Sequence, residues 1–260
     1  MSASDSVERF LSTGEHDPRF PGFEGNIVER RRRGTALLKD VLGRIVGWRA
    51  QRARRAQRVP TDVPARIRAR IRPLVVGLFP AEEVETLVGP LADRVVVVTP
   101  NAFAALIADV PLRAAWDIAN LLLDDLGAPP LADDTPSLDG LSAAGRAWVP
   151  ARAVSTDIVF PDVIVHEVAH LTHMLHRSEF GLAGPGPLVA VPPRRSETFA
   201  YACEVWAAAE RGVATVDALL AESGHHDARV DRRALTALLL RASEGGGWGV
   251  IRAWGETRRG

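Results

Sequence analysis

Apolar positions along the chain recur mostly at helical spacing. Leu38, Val41, Leu42, Ile45 and Trp48 repeat every three or four residues. This predicts an amphipathic helix over 35–58 with arginines on its opposite face. Two patterns compete between 62 and 79: Val63, Ile67, Ile71 and Val75 fit a helix, while Arg66, Arg68, Arg70 and Arg72 alternate as in a strand. That stretch is expected as a helix despite Pro73. Further helices are expected at 81–89, from Ala102 behind a capping Asn101, over Leu112–Leu126, from Pro161 or Asp162 to about His176, over Ser196–Glu210, and near 215–223 and 229–242.

Two segments read as strands. RVVVVTP at 94–100 is short, β-branched and closed by proline, and Val154–Phe160 is the second. Residues 127–147 and 178–195 are rich in turn formers and read as loops. The polar stretch 1–28 reads as a flexible arm, and the glycine-rich 243–260 as an irregular tail. The expectation is an α+β chain, mostly helical with a small sheet. It has four parts: an arm (1–28), a basic helical extension (29–80), a main domain (81–242) and a tail.

Charge sharpens that division. The chain carries 32 basic and 32 acidic side chains, so its formal net charge is zero. Residues 30–72 nevertheless hold fifteen basic groups against Asp40 and Asp62, a local balance of +13. Such a segment suits nucleic acid or an acidic partner. It also suits the chain's own carboxylates at 82–85 and 124–139. Hydrophobic residues make up 47%, which excludes a disordered chain. No apolar run approaches the ~20 residues of a transmembrane helix. Cys203 is the single cysteine, and the N-terminus lacks the pattern of a secretory signal, so the expected location is the cytoplasm.

Candidate chemistry concentrates in HEVAHLTHMLH, His166 to His176. On a helix, His166 and His170 lie one above the other at i and i+4. Two imidazoles so placed can reach one zinc ion, and Glu167 beside them can take a proton from activated water. A catalytic zinc commonly has three protein ligands. Two candidates exist for the third: Glu197, at the start of the helix beyond the long loop, and His176. His166, His170 and His176 have metzincin spacing, but His173 stands where that pattern requires glycine. The only methionines, Met1 and Met174, also supply no methionine turn downstream. Glu197 is therefore favoured.

His166-Glu167-x-x-His170, followed by Glu197-Thr198-Phe199-Ala200, resembles the gluzincin group of zinc metallopeptidases. The resemblance covers about 155–210. It implies a zincin-like catalytic domain over 81–242, bound Zn2+, and a peptide or protein substrate. It also implies an edge strand ahead of the zinc helix that binds extended substrate, here Val154–Phe160. The long interval between His170 and Glu197 departs from the pattern, and no particular family follows. Tyr201 and Glu204 share a helix face with Glu197. Tyr201 is a candidate for stabilising the oxyanion and Glu204 for orienting a zinc histidine. His173 is a candidate substrate contact. Cys203 is expected in the core, and His225-His226 in a turn without a metal role. The competing reading is a non-catalytic regulatory or binding protein on the same scaffold, with the arginine-rich helices contacting its partner.

Overall fold

The computed structural model describes residues 2–133, 135, 137–156, 160–222 and 227–257. In chain order its elements are α1 (Ala3–Thr13), α2 (Ile27–Ala50), α3 (Val63–Leu78), α4 (Ala81–Ala92), β1 (Val95–Val98), α5 (Phe103–Leu106), α6 (Leu112–Asp125), β2 (Leu141–Ala143), β3 (Arg146–Pro150), α7 (Ala151–Ser155), α8 (Val163–Met174), α9 (Ser196–Glu210), α10 (Val216–Glu222), α11 (Arg232–Arg241) and α12 (Gly247–Glu256). The fold is α+β, dominated by helices, with one small sheet of order β1-β3-β2. Among the described residues no helix is long and apolar enough to cross a membrane.

The chain divides into two compact units that interleave in sequence. The first comprises Met1–Val59, Val97–Ala144 and Trp148–Arg152; the second comprises Pro60–Val96, Gly145–Ala147 and Ala153–Gly260.

In the first unit α2 packs against α1, α5 and α6. Its buried stripe is Gly34, Leu38, Leu42 and Val46, the spacing of one helix face. The helix begins earlier than periodicity suggests, because Asn26 caps it through the backbone N–H groups of Val28 and Glu29. It also ends earlier, at Ala50. Part of 1–28 is not an arm but α1, capped by Ser2 and Asp5 in a reciprocal pair. Phe10 of α1 and Phe20 beyond it are buried. Several basic groups serve packing: Lys39 donates to the Ala108 carbonyl, and Arg49 to those of Pro129 and Pro130.

In the second unit α9 is the central helix, contacting α3, α8, α10, α11 and α12. Phe199, Ala200, Cys203, Val205 and Ala207 bury its sides, and the small residues admit close neighbours. α3 forms as expected, with Ile67, Ile71, Leu74 and Val75 inward. On α3, Arg66 pairs with Asp62, Arg68 with Asp93 and Arg72 with Glu85.

Three further expectations need correction. Residues 151–155 form α7 rather than the start of a strand, and 157–159 lie outside the described residues. Arg70 holds the end of this segment by donating to the carbonyls of Ala153 and Thr156. The loop at 127–147 contains β2, which turns into β3 at Ala144 and Gly145, both with φ near +50 to +70°. Positive φ at both central residues matches the twist of a two-residue hairpin. The tail forms a helix, α12, whose Trp248 and Ile251 are buried.

Candidate metal centre

The candidate residues all belong to the second unit. Asp162 caps α8 by accepting from the Val165 N–H. Asp162 is itself buried, with Arg211 at 3.1 Å and Arg70 at 3.9 Å. Burial pushes its carboxyl pKa up against the pull of these two guanidiniums. Ile164, Val165, Val168, Ala169 and Leu171 pack inward from α8. This fixes the helix rotation and leaves His166, His170 and His173 on a face meeting α9 and its approach.

The helix ends at Met174, short of His176, because Leu175 turns extended with ψ 141°. The following loop folds back on that end. The Val189 N–H donates to the Thr172 carbonyl and the Leu188 N–H to that of Leu175, at 2.8 and 2.9 Å. His176, exposed and bridged to Pro187, lies off the helix. The long interval to Glu197 is thus a strap over the C-terminal end of α8, and it delivers the chain to the start of α9. Arg195, buried just before α9, anchors that start by donating to the carbonyls of Trp254 and Thr257.

His166, His170 and Glu197 converge. The two Nε2 atoms are 3.2 Å apart, and Glu197 Oε2 lies 3.6 Å from His166 Nε2 and 3.3 Å from His170 Nε2. Among the described residues these three form the group able to hold a metal ion. Tetrahedral coordination with bonds of ~2.0–2.1 Å places ligand atoms roughly 3.3 Å apart. The donor set and its spacing therefore fit zinc. His176 does not join the group.

Each of the three residues is supported from behind. Glu204, buried, lies with Oε2 3.2 Å from His166 Nδ1. A proton on Nδ1 donated to that carboxylate fixes the ring with Nε2 facing His170 and Glu197. Ser196 Oγ lies 2.8 Å from His170 Nδ1 and 2.9 Å from His173 Nε2. Nδ1 of His170 can donate to the hydroxyl while the hydroxyl donates to His173. Arg229 donates to Glu197 Oε1 at 2.7 Å and also pairs with Asp227, so Oε2 alone is turned to the imidazoles.

The electrostatics follow from this crowding. Burial opposes charge on His166, but the carboxylates of Glu197 and Glu204, with Glu167 nearby, outweigh it and push its pKa up to about 10. Burial would raise Glu197, yet the two imidazoles hold it well below the ordinary carboxylate range. Burial and the neighbouring His170 lower His173 to about 4, so it is neutral at pH 7. Burial and then Glu204 raise the Tyr201 phenol to about 12. Its ring meets that of His166 edge-on, with centroids 4.6 Å apart.

Glu167 is buried on α8. Cys203 is buried in the core, where desolvation raises its thiol pKa well above the ordinary value. His225 and His226 lie outside the described residues. Sequence reasoning missed Ser196, Asp227 and Arg229. Ser196 directly precedes Glu197 and was within reach of helical geometry. Arg229 meets Glu197 only through the loop ahead of α11, which carries no local signal.

No protein-family model, no curated protein and no solved structure matches this chain.

Proposed function

We propose that this chain is a zinc-dependent metallohydrolase acting on peptides, of gluzincin type and zincin-like fold. The observation that carries this reading is the mutual spacing of 3.2, 3.3 and 3.6 Å among His166 Nε2, His170 Nε2 and Glu197 Oε2. Those residues would hold the ion. When bound, zinc supplies Lewis acidity, which lets water ionise near neutral pH and polarises a carbonyl. The Glu167 carboxylate accepts a proton from the attacking water and returns it to the leaving amine nitrogen. The Tyr201 hydroxyl donates to the developing oxyanion. Glu204 and Ser196 fix the imidazole orientations, and Arg229 fixes the carboxylate of Glu197.

Of the expected substrate-binding strand, Val154–Phe160, the first two residues are helical and 157–159 lie outside the described residues. The single cysteine agrees with a reducing compartment, and the reading is of a cytoplasmic protein.

The test is hydrolysis of a quenched peptide library by the zinc-loaded chain and by Glu167→Gln. The variant is expected to keep its metal and lose activity by at least about a hundredfold. Equal activity in both proteins contradicts the assignment.

A further inference from the structure

The loop ahead of α11 reaches the metal centre through a short hook, Asp227 to Asp231. Asp227 shapes it. Its Oδ1 accepts from the Arg229 N–H at 2.8 Å, and its carbonyl accepts from the Val230 N–H at 3.2 Å. An aspartate that bonds the backbone two residues on builds a turn from its own side chain. Val230 is buried, and the Asp231 N–H donates to Thr198 Oγ1 at 2.9 Å. Thr198 is itself buried on α9, directly after Glu197. The hook is thereby pinned to α9 beside the candidate ligand.

That register sets the Arg229 guanidinium. Its Nε donates to Asp227 Oδ1 at 3.0 Å and its Nη2 to Oδ2 at 2.8 Å, a two-point fork. The group is planar, so holding two nitrogens fixes the third. That third nitrogen, Nη1, lies 2.7 Å from Glu197 Oε1. The Arg229 side chain is 71% exposed, against 16% for Asp227 and 16% for Glu197. An arginine so exposed holds a single carboxylate only weakly. Fixed at two points by Asp227, it becomes a pre-set donor to Glu197. The two oxygens of Glu197 are thus divided: Oε1 is on Arg229, and Oε2 is 3.3 Å from His170 Nε2 and 3.6 Å from His166 Nε2.

We propose that Asp227 and Arg229 are positioning residues that restrict Glu197 to one oxygen toward the metal and so keep a fourth ligand position open. The inference rests on the reading of His166, His170 and Glu197 as metal ligands. A carboxylate can hold an ion through one oxygen or two. Using both takes Oε1 off Arg229 and fills the position that a hydrolytic zinc site leaves free.

Cobalt(II) in place of zinc tests this, because its visible absorption is strong in four-coordinate sites and weaker at higher coordination. The full chain in excess cobalt should bind about one ion and show the strong spectrum. Arg229→Ala, at an exposed position, should keep about one ion and lose at least about half of the visible intensity. Asp227→Asn leaves an acceptor for the Arg229 N–H, weakens the fork, and should lose intensity in the same direction. The double variant Asp227→Asn/Arg229→Ala should lose no more than Arg229→Ala alone, because both residues act through one carboxylate. Arg229→Lys, which returns a charged donor, should recover part of the loss. A wild-type chain that takes up no cobalt overturns the metal reading and this inference with it. Cobalt uptake by wild type with an unchanged spectrum in Arg229→Ala overturns the positioning role alone, as does loss of the ion from that variant.

Discussion

The Nε2 atoms of His166 and His170 face each other at 3.2 Å, each imidazole held from behind at Nδ1. Glu204 holds the first and Ser196 the second. Two lone pairs so close repel unless a proton or a cation lies between them. The carboxylates of Glu197 and Glu204 outweigh burial and favour that proton on His166.

A pH dependence follows. The His166 pKa is raised from 6.5 to about 10, so its stabilising contribution is complete below 6.5 and lost as pH rises through 10. That of Glu197, whose pKa is lowered, is complete above 4.5 and lost as pH falls further. The metal-free protein should therefore melt at progressively lower temperature from about pH 6.5 to about pH 10. Zinc held by these residues would displace the His166 proton. Affinity should then rise up to about tenfold per pH unit between those limits, with about one proton released per ion. Scanning calorimetry with and without zinc, and titration in buffers of different ionisation enthalpy, check both points.

Glu204 orients His166 from behind and is not one of the three converging residues. Glu204→Gln should lower zinc affinity about 10–100-fold through loss of the charged acceptor at Nδ1. Ser196→Ala should act in the same direction through His170, and less strongly, because a neutral hydroxyl is lost. Competition against a chromophoric chelator measures both.

Phe10 is fully buried in α1. Phe10→Ala should cost about 3–5 kcal/mol, read by urea unfolding. A change below about 0.5 kcal/mol would match a solvated arm instead.

Helices with a continuous apolar stripe were legible: α3, α6, α8 and α9 lie close to where periodicity puts them. The convergence of His166, His170 and Glu197 was legible because its signal is local, two histidines one turn apart and a carboxylate at the next helix start. Elements whose glycines or polar residues serve tertiary contacts were not. α12 read as irregular from its glycines, yet Gly255 faces Phe199 so closely that a Cβ would approach its ring to 2.9 Å. That glycine allows close packing rather than disorder. α1 is mostly polar, and its one strong anchor, Phe10, has its value only in the folded unit. Val154 looked like a strand residue because β-branched residues near prolines usually are, but Arg70, remote in sequence, ties that segment's carbonyls and it forms α7.

The most direct test is metal content. Purified protein saturated with zinc, dialysed and assayed by elemental analysis should retain about one ion per chain. Glu167→Gln should match it, while His170→Ala and Glu197→Ala should fall well below one. A folded wild-type chain that retains no zinc, or a Glu197→Ala variant that retains as much as wild type, would contradict the assignment.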